Sequence, residues 1–248
     1  MPPLILVGLP GAGAGGPWFI HWNSFFAQLL REYRVAPCYG MGSNVYRVRN
    51  DCMPAWDKLP YPADYMLWID SDNLFTYEMF KTLRASLESY PGLDVVAGWS
   101  WVQDVMGNER PKISAGQWKD SKPVNLQYRE ILTAKKAGGL LLVQWTGLSF
   151  ALIRAESLKR LGPEPFMPIP EQDDDGTVHL LSDSESFCYF AGQMGLKFAV
   201  HPGVKTPHLK PKPIEPDIQA RIEMEGPEVI TQGYQEETGE PEPEEVPT

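Results

Sequence analysis

Cysteine is scarce in this 248-residue chain: Cys38, Cys52 and Cys188 are widely spaced, odd in number and never arranged as CxxC. That excludes a disulfide-built frame and a cysteine-based zinc site; reduced core thiols in a cytoplasmic protein are expected. Long apolar runs are also missing. The longest apolar region, 138–153, is interrupted by Gln144, Thr146 and Ser149 and falls short of the roughly 20 residues that cross a bilayer. The opening Met-Pro-Pro-Leu-Ile-Leu-Val has no charged leader, and no signal segment or membrane span is expected. A basic excess is absent too. The formal charge is −10, but residues 214–248 hold eleven of the 32 acids and one of the 22 bases, Arg221, so residues 1–213 carry 21 of each. A neutral body argues against a stand-alone DNA-binding domain. The acidic, proline-rich tail 214–248 is expected to be largely disordered. Finally, the glycine run after Pro10 (11–16) lacks the Lys-Ser/Thr of a phosphate-binding loop. Gly11, Gly13 and Gly16 fit GxGxxG spacing, yet no acid follows at the expected strand end, and a plain turn is the simpler reading.

What is present centres on Tyr65-Met66-Leu67-Trp68-Ile69-Asp70-Ser71-Asp72-Asn73. Five unbroken apolar residues read as a strand buried on both faces. The two carboxylates that follow at i and i+2 sit where an open α/β sheet places its ligand crevice. Hard oxygen ligands there suit Mg²⁺ or Mn²⁺ together with substrate phosphate. The competing reading is a strand-to-helix turn with an Asx-type cap.

Around this stretch the pattern alternates. Strands are expected at 4–9, 34–37 and 93–97, with helices opening at Pro17 and Asn44 and covering 75–90. Such alternation demands a parallel sheet and places Val7, Ile69 and Val96 in adjacent strands. Arg49-Asn50 precedes the central strand; its guanidinium could pin an aspartate or a phosphate, or lie on a solvated helix face. Trp99 and Trp101 can stack on sugar rings or serve the core. Further on, strands are expected near 112–113, 124–128, 139–143 and 197–200, and helices at 154–161 and 183–194. The loop 163–176, with Asp173, Asp174 and Asp175, is long enough to be a functional lid.

In this order the pieces resemble the GT-A glycosyltransferases, specifically small family-two-like enzymes of the kind also found in bacteriophages. The resemblance rests on the first strand, Arg49-Asn50, Leu67-Trp68-Ile69-Asp70-Ser71-Asp72, Asp94-Val95-Val96-Ala97-Gly98, and Thr146-Gly147 before Ala151-Leu152-Ile153-Arg154. Phe166, Ser182-Asp183-Ser184-Glu185-Ser186-Phe187-Cys188, the stretch from Gly195 to Pro202, and His208 complete it. It spans roughly 3–212. It implies an α/β fold with a mostly parallel, Rossmann-like central sheet flanked by helices and a smaller antiparallel acceptor-side portion. Residues 1–213 would form one catalytic domain, with a nucleotide-binding half at 1–100 and an acceptor half at 101–213.

The resemblance also implies an activity: transfer of a sugar from a nucleotide diphosphate sugar, with a UDP-sugar favoured, to a hydroxyl of a glycan, a protein or a modified DNA base. Donor contacts would come from Pro10, Arg49, Asp70, Ser71, Asp72, Gly147 and Lys210. Mn²⁺ or Mg²⁺ would be held by Asp72, Asp70 and His208, offsetting charge on the leaving diphosphate. Asp183, with Glu185 in reserve, would deprotonate the acceptor if the enzyme is inverting. Ser184 stands where the family has a second acid, which leaves the stereochemistry open. Other readings are a sugar-phosphate nucleotidyltransferase, against which 11–16 offers no basic residue, and a non-catalytic carbohydrate-binding protein.

Overall fold

A computed structural model describes residues 2–10, 18–56, 59, 62–102, 111–172 and 176–207 of the chain. The glycine run 11–16, the acids Asp173–175, His208, Lys210 and the tail 214–248 lie outside these. In chain order the described elements are β1 (Leu4–Pro10), α1 (Trp18–Glu32), β2 (Arg34–Gly40), α2 (Val45–Asp51), β3 (Tyr65–Ile69), α3 (Tyr77–Ser89) and β4 (Val95–Trp99). Then follow β5 (Trp101–Val102), β6 (Lys112–Ile113), β7 (Ala115–Lys119), β8 (Lys122–Asn125), α4 (Tyr128–Ala137), β9 (Leu141–Val143) and β10 (Trp145–Thr146). The series ends with β11 (Phe150–Arg154), α5 (Ala155–Lys159), β12 (Pro170–Gln172), β13 (Val178–Leu180), α6 (Asp183–Gln193) and β14 (Phe198–Lys205).

Seven strands make the central sheet, in the order β2-β1-β3-β11-β4-β14-β9. The strands β2, β1, β3, β4 and β14 run one way; β11 and β9 run against them. The fold is thus mixed α/β, with a mostly parallel central sheet flanked by helices. Three small antiparallel sheets accompany it: β10-β7-β8, β12-β13 and β5-β6.

Strand periodicity divides the core into two layers. Leu4, Leu6, Met66, Trp68, Val95 and Ala97 face α5, α6 and the Ile131 side of α4. Ile5, Val7, Tyr65, Leu67, Ile69 and Val96 face Phe25 and Leu29 of α1 and Phe80, Leu83 and Leu87 of α3. All five residues of β3 are buried, as expected of a strand covered on both faces.

Local signals set the helix ends. The Asn44 side chain accepts from the Arg47 amide and Thr76 from Met79, each capping a helix start. Gly195, with φ of 84°, turns the chain after α6. Gly40 has a packing reason: a Cβ there would lie 1.9 Å from the Val48 carbonyl oxygen, so α2 rests directly on the end of β2.

The structure departs from the sequence expectations in several places. Ile69 and Val96 are not in adjacent strands, because β11 inserts between β3 and β4 and pairs antiparallel with both. Alternating βα units predict parallel neighbours, but a strand 50 residues downstream carries no mark of where it inserts. Tyr128 opens α4 rather than ending a strand, since Gln127 and Glu130 form a capping box. All three cysteines are free, and burial pushes the Cys188 thiol up to about 12. No helix among the described residues is long and apolar enough to cross a membrane.

Candidate functional site

The candidate site lies beyond the carboxyl end of β3. Asp70 follows the last strand residue directly, and its amide donates to the Ser149 carbonyl at 2.9 Å, holding it against the β10–β11 connection. Asp72 sits one turn on, where the Asn73 Nδ2 donates to its Oδ1 at 3.1 Å. Asn73 itself is buried. Ser71, half-buried, forms the turn between the two acids. Leu74 then bonds through its amide to the Pro207 carbonyl at 2.9 Å. The described chain therefore comes alongside the Asp72 turn just before His208.

Arg49 organises this end of the molecule. It projects from α2 and is 3% exposed. Its Nη2 stands 2.9 Å from Asp70 Oδ1 and donates to Oδ2 at 3.1 Å. Its Nε donates to Asp183 Oδ2. The guanidinium lies over the Trp68 ring at 5.4 Å and the Phe166 ring at 6.0 Å. Burial disfavours the charged guanidinium, but the carboxylates of Asp70 and Asp183 outweigh that and hold it protonated. Burial pushes the Asp70 carboxyl up, with Arg49 opposing it. Arg49 Nη1 is buried without a hydrogen-bond partner among the described residues. An orphaned donor on a buried cation is a costly feature in a folded chain unless a ligand completes it.

A second carboxylate partner of Arg49 comes from α6. Ser182 caps this helix, accepting from the Glu185 amide at 3.2 Å, while Glu185 Oε2 accepts from the Ser182 amide at 2.9 Å. Glu185 is thereby engaged in a capping box, and Asp183, at the first helical position, points its carboxylate to Arg49. Ser184 Oγ accepts from the Leu148 amide at 3.3 Å. Gly147 donates to the Ser114 carbonyl at 2.6 Å, and Ser114 to the Ser100 carbonyl at 3.0 Å. Thr206 in turn donates to the Trp99 carbonyl at 2.9 Å. These bonds close a circuit through Asp70, Ser149, Leu148, Gly147, Ser114, Ser100, Trp99, Thr206, Pro207 and Leu74, which fixes the backbone around Asp70.

The structure thus brings Arg49, Asp70 and Asp183 into direct contact, and Ser71, Asp72 and Gly147 to the same rim. Pro10 is buried at the end of β1, opposite Gly40. His208 and Lys210 lie outside the described residues. Trp99 is buried, its indole donating to the Pro202 carbonyl at 3.1 Å, while Trp101 packs 5.5 Å from Tyr128 and is only partly buried. Sequence reasoning missed the supports of α2. Asn50 makes two hydrogen bonds to the Phe166 backbone, at 2.8 and 3.0 Å, and the Tyr46 hydroxyl donates to the Leu181 carbonyl. Partners more than 100 positions apart leave no local signal.

Among the described residues no cluster of three metal-type side chains forms. The oxygen donors present, Asp70 and Asp72, are of the type that suits a hard divalent ion. Mg²⁺-like ions bind through one or two carboxylates plus substrate phosphates and waters, which Asp72 with Asp70 can supply.

No protein-family model and no curated protein sequence matches the chain. Comparison with solved structures finds 153 matching chains. One is A197 from STIV, 17% identical, with a TM-score of 0.49, covering 85% of this chain and 86% of that one. Another is a crystal structure of GalNAc-T7 with UDP, GalNAc and Mn²⁺, 12% identical, with a TM-score of 0.47, covering 85% of this chain and 44% of that one.

Proposed function

We propose that the chain is a metal-dependent GT-A-type glycosyltransferase that uses a nucleoside diphosphate sugar as donor. One observation carries the reading: a single buried guanidinium, Arg49, joins Asp70 at the strand end to Asp183 at the start of α6. A donor-side and an acceptor-side carboxylate are thereby held at a fixed separation in one crevice. An isolated Asp-Ser-Asp turn would need no such bridge.

In this reading Asp72 and His208 would hold the divalent ion, with Asp70 assisting. When bound there, the ion would supply charge neutralisation for the leaving diphosphate. Ser71, Gly147, Pro10 and Lys210 belong to the donor site. Arg49 favours the ionised form of Asp70, against the effect of burial, and would present it to the ribose or to water on the ion. Asp183 accepts the proton of the acceptor hydroxyl, with Arg49 stabilising its carboxylate and fixing its orientation. Glu185, closed into the capping box, orients the helix that carries Asp183. The acceptor is a hydroxyl compound: a glycan, a protein or a modified DNA base.

The test is direct. Titration of UDP and GDP into the protein with and without Mn²⁺ should show metal-dependent binding, and Asp72→Ala should weaken it by at least about 100-fold, the upper part of the range for loss of a metal-site partner. Binding that ignores Mn²⁺ and survives in the variant would refute the assignment.

A further inference from the structure

A second recess lies away from the crevice, where the carboxyl-terminal half of α6 meets the edge strand β9 and the small β10-β7-β8 sheet. Its volume is about 490 Å³, within the roughly 300–1,000 Å³ of small-molecule sites. Trp118 of β7 and Tyr189 of α6 form one wall, their rings edge-to-face at 5.4 Å and 85°. Gln144, Gln193 and Lys197 surround them, and Gly192 lies in the lining between. Gln144 Oε1 is committed to the Trp118 amide at 2.6 Å, which leaves its NH₂ to serve another acceptor. The side chains of Gln193 and Lys197 are exposed and have no partner among the described residues.

We propose that this groove is a carbohydrate-binding site for a short neutral oligosaccharide, separate from the Asp72 crevice. A pyranose has an apolar C–H face and a rim of hydroxyls. The aromatic wall suits the face, and two amides with an ammonium suit the rim. A single lining cation is too little for a nucleic-acid backbone. The exposed polar groups exclude a lipid tail. Gly192 is nine residues along α6 from Asp183, about 13 Å at helical rise. The groove can therefore anchor a distal unit of an acceptor glycan whose reactive end lies in the crevice. That anchoring role rests on the transferase reading; the binding site itself does not.

A Cβ at Gly192 meets nothing within 4 Å, so Gly192→Phe fills the groove without disturbing the helix backbone. Saturation-transfer NMR with neutral gluco-, galacto- and manno-configured di- and trisaccharides is expected to show binding to the full chain. Gly192→Phe and Gln193→Ala should each weaken it, the former at least about tenfold, a loss equivalent to roughly 1.4 kcal/mol. UDP binding should be unchanged in Gly192→Phe, and saccharide binding should persist in Asp72→Ala, which separates this site from the donor site. No saccharide signal with the wild-type protein, or equal signals with Gly192→Phe, would overturn the proposal. So would binding of a single-stranded oligonucleotide in the groove in place of saccharides.

Discussion

Replacing Arg49 with methionine removes a cation shared by two carboxylates while keeping much of the side chain's apolar bulk. The Arg49 side chain is 4% exposed, that of Asp183 15% and that of Asp70 24%. Breaking a buried pair by deleting one partner costs roughly 3–5 kcal/mol, because the remaining charge is left uncompensated. Both aspartates keep some contact with water, so about 3 kcal/mol is expected at neutral pH. The penalty also depends on pH, in a definite direction. Burial already raises the Asp70 carboxyl pKa, and Arg49 opposes the rise. Without Arg49 the folded-state pKa climbs further above the unfolded value. The native state then binds protons more readily than the unfolded chain, and stability falls as pH rises through that window. Urea unfolding should accordingly show Arg49→Met losing more stability at pH 8 than at pH 5, relative to wild type at each pH. Arg49→Lys should recover only part of the loss, because one ammonium cannot reproduce a planar fork that reaches two carboxylates. Loss of less than about 1 kcal/mol, equal at both pH values, would show that the bridge carries no such energy.

Two further outcomes follow from the same geometry. Gly40→Ala forces a Cβ into the Val48 carbonyl and should shift α2 with Arg49 and Asn50; a loss of about 1–3 kcal/mol in chemical denaturation, with weakened UDP binding, is expected. Glu185→Ala should cost about 1 kcal/mol through the lost cap yet keep sugar transfer, whereas Asp183→Asn should keep the fold and lose transfer by at least about 100-fold, as measured by product mass spectrometry.

Much of the fold was legible because its signals are local. The unbroken apolar run of β3, the Asn44 cap, and the acids opening α6 are each decided within a few residues. The Asp70-Ser71-Asp72 end of β3 could be placed from strand length alone. What stayed hidden depends on distant pairing. The interposition of β11 is set by which buried strand best fits between β3 and β4, and no periodicity records that. Arg49 could be read equally as a solvated residue, because its two carboxylate partners lie 21 and 134 positions away. The capping box of Glu185 was within reach, since Ser182 and Glu185 have the required spacing.

The position of β11 bears on how the molecule is made. β3 and β4 are complete by residue 99; β3 already lies beside β1, yet the gap between β3 and β4 is filled only when 150–154 arrives. A chain that has reached residue 100 can pair β2, β1 and β3, but β4 has neither of its neighbours, β11 and β14, and no strand links it to β3. Synthesis runs from one end to the other, but assembly must wait for the middle to be filled.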